Sequence, residues 1–344
     1  MKKSGNILGI LYFFIHFIIE ITSFYILSSY TNSNIIWLIA LLYDFYAFVP
    51  QGIYGYLADK GIKVNLSIVG LILSSIALIL FGFNINAFIV VLTIAIGNSL
   101  IHVQGAETTL RSSKGRMSPS AIFVAGGSFG LITGKLLAMY KVPVLIVLII
   151  NLLMIIPIII CNKYKSQLDD KNLESYNYSN KKIAPKVVIT LAVLVVVIRS
   201  YMGYGIPTSW NKTLVQTIML YCFMGTGKAL GGILIDAIGV RKTALLSTIG
   251  ALPFLLFGNN VMTISLIGIM LFSMTMAITL GLIVSNLKKY PGVAFGFTTL
   301  GLFLGTVPIF VFRVSSILVN CIIVIVLTLV SVIILNKICK KEVK

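Results

Sequence analysis

Polar positions in this chain are gathered into narrow bands, and the stretches between them are almost wholly apolar. A helix that crosses a bilayer needs about 20 mostly apolar residues. By that rule the pattern predicts twelve crossing helices, at residues 5–30, 35–58, 64–82, 87–106, 118–140, 142–162, 187–210, 213–235, 241–257, 260–285, 291–312 and 315–336. Most connections are very short. The exception is 163–186, with Lys163, Lys165, Asp169, Asp170, Lys171, Glu174, Lys181, Lys182 and Lys186. It is polar and lacks periodicity, so it is expected to be a solvated linker between two six-helix halves, 1–162 and 187–344.

Composition sharpens this picture. The 344 residues are 58% hydrophobic and 10% charged, with a mean hydropathy of +1.04; a soluble domain carries about 25% charged residues. The expected fold class is therefore an all-α membrane protein with twelve transmembrane helices in two pseudo-symmetric bundles. Lys2 and Lys3 precede a long apolar run without a small-residue cleavage site, which predicts a first crossing helix rather than a removed signal. Cys161, Cys222, Cys321 and Cys339 are far apart, with no metal or redox spacing, and are expected to be apolar fillers. No metal or cofactor is expected.

The formal charge of +18 raises the question of nucleic acid, and placement answers it. Of the 27 Lys and Arg residues, 21 fall at the termini, in the even-numbered loops and in the linker; Lys141, Lys212 and Arg313 alone fall in odd-numbered loops. Lys135, Arg199 and Lys228 lie within spans. Basic residues concentrate on the cytoplasmic side, so both termini and the linker of a multi-pass cell-membrane protein are expected there. No nucleic-acid partner is implied.

Two stretches repeat a pattern. Gly55-Tyr56-Leu57-Ala58-Asp59-Lys60-Gly61-Ile62-Lys63 follows the second span, and Gly232-Ile233-Leu234-Ile235-Asp236-Ala237-Ile238-Gly239-Val240-Arg241-Lys242 follows the eighth. Each places a Gly four residues before an Asp, with Gly and basic residues after. An Asp at the membrane edge is costly unless balanced. The positive N-terminal end of a neighbouring helix, or an Arg of an adjacent loop, would balance it and latch that side. The fifth span carries Gly126, Gly130 and Gly134, and the eleventh carries Gly301 and Gly305. Small residues at this spacing allow close helix contact in lipid.

On these residues the chain resembles the major facilitator superfamily, the first motif copy being one residue short before its basic residue. The resemblance implies two six-helix halves rocking around a midplane site. His16-Phe17-Ile18-Ile19-Glu20, His102 with Gly105-Ala106, Phe123 with Gly126, Gly127, Gly130 and Gly134, and Arg199-Ser200 with Tyr204-Gly205 are similar to the fosmidomycin-resistance type of efflux protein. Val103 and Gln104 stand where that group has Pro and Glu, and Lys135 and Asn211 where it has Pro.

Ionisable residues inside spans are functional candidates. Glu20, Arg199 and Asp44 fall at similar heights, and Arg199 is expected to face Glu20, Asp44 or both, in a coupling site or a structural ion pair. His16 lies one turn from Glu20, where a shared proton would couple transport; the alternative is a histidine that hydrogen-bonds a backbone or hydroxyl group within the bundle. His102, Gln104 and Glu107 are expected at the inner end of the fourth helix, as a gate or as a hydrated helix end. Lys228 is expected either to face the cavity and favour an anionic substrate or to snorkel, and Lys135 to snorkel. Tyr204 is placed in the cavity and Trp210 in the interfacial aromatic belt.

The leading expectation is a secondary transporter, proton-coupled and exporting a small solute, acting as a monomer in the lipid bilayer. Ion-coupled uptake is the alternative, followed by a non-transporting sensor on the same scaffold. An enzyme is not expected, because no phosphate loop, nucleophile elbow or metal-ligand motif is present.

Overall fold

The computed structural model describes residues 2–340 apart from 32, 165–167, 211, 312–313 and 315. Lys165, Asn211, Arg313, Lys341 and Lys344, read above, lie outside the described residues. Twelve helices form the body: α1 (Lys2–Ser29), α2 (Ile36–Asp59), α3 (Leu66–Gly82), α4 (Ala87–Ser112), α5 (Ser118–Met139), α6 (Val144–Asn162), α7 (Pro185–Gly205), α8 (Leu214–Ile238), α9 (Val240–Phe257), α10 (Met262–Asn286), α11 (Pro291–Val311) and α12 (Ile317–Ile338). Eleven are long and apolar enough to span a bilayer, and α3 is a shorter apolar helix of 17 residues.

Local chemistry sets the ends and breaks. Asn65 caps α3 by accepting from the amides of Ser67 and Ile68 at 3.0 and 3.3 Å. Thr213 and Gln216 form a capping box at the start of α8. Pro50 interrupts α2 because it has no N–H to donate. A π-helical turn, Leu246–Gly250, precedes Pro253 in α9.

Glycines bring the helices of each half together. A Cβ at Gly126, Gly130 or Gly134 of α5 would strike the backbone of Phe13, Phe17 or Ile21 of α1. Gly305 of α11 lies as closely on the backbone of Val197 of α7, and Gly301 packs against the Val196 side chain. Inside the first half, Asn151 accepts from Thr22 and Ser74 at 3.0 and 3.1 Å and donates to Ser75 at 3.0 Å, joining α6 to α1 and α3. Between halves, α2 packs on α11 and α5 on α8.

The linker corrects its expectation. Its composition reads as solvated, but several side chains dock it on the bundle, Leu173, Tyr176 and Tyr178 among them. Leu173 and Tyr176 are buried. The Tyr176 hydroxyl meets Ser113 Oγ and lies 3.2 Å from the Leu110 carbonyl and 3.3 Å from that of Arg116. Burial pushes this phenol above its ordinary range, so it stays protonated. Tyr178 donates to the Gly115 carbonyl at 2.5 Å and takes Ser285 Oγ on its amide at 3.0 Å, so it touches both halves. Ser179 pairs with Cys339 beyond α12 as an isolated bridge, with the Asn180 amide on the Ile338 carbonyl at 2.8 Å. A few anchors in a polar segment leave no periodic signature.

The fourth helix also extends further than expected, to Ser112 rather than 106. Its last turns carry Glu107 and Arg111, one turn apart, with Arg111 Nε 2.5 Å from Glu107 Oε1. Two charges that neutralise each other let a helix continue where each alone marks an end.

Candidate functional site

A cavity of about 290 Å³ lies between the halves. From the first half it is lined by His16, Glu20, Asp44 and His102, and from the second by Arg199, Tyr204 and Lys228. Because α4 runs on to Ser112, His102 stands ten residues from that end, roughly 15 Å up the helix. This corrects its expected place at an inner gate. It belongs to the cavity.

Glu20 is the hub. Its Oε1 lies 3.6 Å from His16 Nε2 and 3.7 Å from His102 Nε2, and accepts from Asn98 Nδ2 at 2.9 Å. His16 Nδ1 lies 3.0 Å from the Phe123 carbonyl, and His102 Nδ1 lies 2.9 Å from the Asn98 carbonyl. A carbonyl only accepts, so each Nδ1 carries a proton, and in the neutral imidazole each Nε2 then presents a lone pair. Two lone pairs and a carboxylate oxygen thus converge in a buried site. Such an arrangement takes up a proton. The three ligating atoms lie within 4.8 Å of one another, a spread that a metal ion could bridge. The cationic Arg199 and Lys228 in the same cavity oppose an added dication, which favours the proton.

Arg199 does not face either carboxylate, which corrects the expected ion pair. Among the described residues no carboxylate oxygen lies within 4.0 Å of it. Its guanidinium carbon stands 6.0 Å from the centre of the Phe272 ring, and its buried Nε has no partner. The reason is tertiary: Glu20 is already held by α1 and α4 within its own half. Lys228 turns into the cavity, where its Nζ donates to Ser128 Oγ at 2.9 Å. Lys135 does not snorkel; its Nζ donates to Tyr221 at 3.1 Å and lies 6.0 Å from the centre of the Phe24 ring. Trp210 is buried rather than belt-like. Tyr204 lines the cavity and is 64% exposed near the end of α7 away from the linker.

Toward the linker side, Phe123 of α5 and Phe295 of α11 meet across the halves with ring centres 6.1 Å apart, beneath the His pair. Asn98, Ser128 and Phe295 were missed by the sequence reading. Asn98 had a signal, a polar residue inside a span one turn from His102. Phe295 had none.

Further toward the linker the two motif copies act alike. Asp59 accepts from the amides of Gly292 and Val293, both at 3.0 Å, at the start of α11. Asp236 accepts from the amides of Met117 and Ser118 at 2.8 and 2.9 Å, at the start of α5. Each carboxylate thus sits on the positive end of a helix from the other half. The glycine one turn earlier makes the approach possible. A Cβ at Gly55 would run into the backbone of Gly292, and one at Gly232 would come within 2.7 Å of the Met117 carbonyl oxygen.

Of the basic motif residues, Arg241 donates to Asn336 of α12 at 2.6 and 3.1 Å. Lys242 lies in the first turns of α9. Lys63 is exposed and has no partner among the described residues. Arg111 lies 3.5 Å from Asp59 and also meets Asp170 of the linker. Glu107 stays beside Arg111, and Gln104 donates to it at 3.2 Å. Both border a separate cavity of about 370 Å³ between the first half and the linker.

No family model matches the chain, and no curated protein matches it in sequence. Solved structures match it in fold. A variant of the E. coli fucose:proton symporter FucP aligns with a TM-score of 0.66 at 17% identity, covering 96% of this chain and 97% of that one. A major facilitator superfamily transporter, FucP in the outward conformation, aligns with a TM-score of 0.63 at 15% identity over the same shares. The fold is the major facilitator fold.

Proposed function

We propose that this chain is a proton-coupled secondary transporter of a small solute, working by alternating access between its two six-helix halves. The observation that carries the reading is the Glu20–His16–His102 cluster in the wall of an inter-half cavity. A proton acceptor beside a solute space is what coupling requires. The basic residues support a cytoplasmic linker and termini. On that orientation the Asp59 and Asp236 contacts hold the cytoplasmic side shut while Tyr204 marks the open side, an outward-facing state. The halves, 1–162 and 187–344, are the moving bodies and 163–186 their tether.

Export of the solute against protons is the first reading. Uptake together with protons is the second, favoured by the fold shared with a protein described as a fucose:proton symporter. The test is reconstitution into vesicles loaded with a pH-sensitive dye, with an imposed proton gradient and a panel of drugs, sugars and metabolites. Solute movement that tracks the gradient is expected, and its sign separates export from uptake. Solute movement indifferent to every gradient would remove proton coupling.

A further inference from the structure

We infer that the solute is a small organic anion whose charged group binds between Arg199 and Lys228; this rests on the transporter reading above. Both residues line the inter-half cavity, and both belong to the second half. Neither has a carboxylate within ion-pair distance among the described residues. Lys228 is met by a neutral hydroxyl, Ser128 Oγ at 2.9 Å. Arg199 is met by the face of Phe272 at 6.0 Å, and its Nε is buried without a hydrogen-bond partner among the described residues. Cations withdrawn from water without counter-charge are costly, and an incoming anion offsets that cost.

The other half supplies the opposite sign. Glu20 and Asp44 line the same cavity, with Glu20 engaged by Asn98 and two histidines. With Glu20 and Asp44 both ionised and the histidines neutral, two negative side chains balance two positive ones. With a proton on the Glu20 cluster the lining has a net charge of one positive unit. Proton and anion therefore strengthen each other's binding, by the reciprocity of linked sites. Phe24, Phe48, Met224 and Met276 complete the walls, so the anion carries an apolar body.

The probes are matched compounds on one aromatic frame: para-butylbenzoate, para-butylbenzamide and para-butylbenzylamine, with a wider panel of carboxylates. Each is titrated against the purified full chain by thermal unfolding. The carboxylates are expected to stabilise the protein and the amide and amine not to. Arg199→Gln and Lys228→Gln should each weaken carboxylate binding about tenfold, and Lys228→Arg should retain it. Asp44→Asn removes a negative charge from the same lining and should strengthen carboxylate binding rather than weaken it. Size-exclusion profiles show which variants are folded, and Lys228→Arg carries the test if a Gln variant is not.

Equal stabilisation by the amide or the amine overturns the proposal. So does the absence of stabilisation by every carboxylate at millimolar concentration, or unchanged carboxylate affinity in both Gln variants. Carboxylate binding without solute or proton flux would instead remove the transporter reading and leave the anion site. Proton-linked flux of neutral or cationic solutes alone would do the reverse.

Discussion

His102 Nε2 lies 3.7 Å from Glu20 Oε1, joining α4 to α1 at the wall of the inter-half cavity. With His16 Nε2 at 3.6 Å from the same oxygen and the two imidazole rings 4.3 Å apart, the cluster brings together three groups able to hold a proton. Its chemistry depends on the carboxylate. Glu20→Gln keeps the size and hydrogen-bonding reach but removes the charge. Proton-driven transport is expected to fall by roughly tenfold or more, the scale of a coupling free energy between two sites. Solute counterflow without a gradient should persist. Counterflow and dye-reported proton flux, measured on the same vesicles, check this; unchanged proton-driven rates would remove Glu20 from coupling.

Asp59 and Asp236 each hold two backbone amides of the opposite half. Asn at either position loses the charge that makes these bonds strong, about 1–2 kcal/mol apiece. The population should move toward opening on the linker side. A cysteine placed at Ala121, buried against Gly232, reports this by its rate of labelling with an impermeant maleimide in a background lacking native cysteines. Labelling should quicken in either variant and most in the double variant, since the two contacts are separate.

Gly55 and Gly232 set the distance that those aspartates need. Gly55→Val forces the α2 and α11 backbones apart, at a cost of about 1–3 kcal/mol to the closed linker side. Faster labelling at the same Ala121 reporter, with Asp59 intact, is the expected result. If only Asp59→Asn had an effect, the glycine would have no part in the latch.

Tyr176 is the main anchor of the linker. Tyr176→Ala removes a buried ring, a loss of about 3–5 kcal/mol in a well-packed site. Limited proteolysis should then cut within 163–184 in intact folded protein. Tyr176→Phe keeps the ring and should leave the linker largely protected. Equal protection in both variants would mean that Tyr178 and the Ser179–Cys339 bridge hold the segment without it.

The linker shows why some of this was legible in the chain and some not. Crossing helices follow from apolar length, since a backbone in lipid must satisfy its own hydrogen bonds. So the twelve apolar helices, eleven of them long enough to cross a bilayer, and the repeated Gly-x-x-x-Asp motif are present in the order of residues alone. Docking through Leu173, Tyr176 and Tyr178 leaves no such mark, because isolated anchors need only a matching surface.

The site divides in the same way. His16 and Glu20 sit one turn apart on one helix, so their contact is a property of local sequence. His102 reaches them only because α4 packs on α1, a contact between residues far apart in sequence. Arg199 matches Glu20 in height, but height along a helix does not determine which side chains meet. That depended on packing between halves, which left Arg199 and Lys228 in the cavity wall with no carboxylate within ion-pair distance among the described residues. The sequence determined the spans and the motif carboxylates, by length and local spacing. Tertiary structure decided which charges are paired, because pairing is a matter of helix rotation and contact.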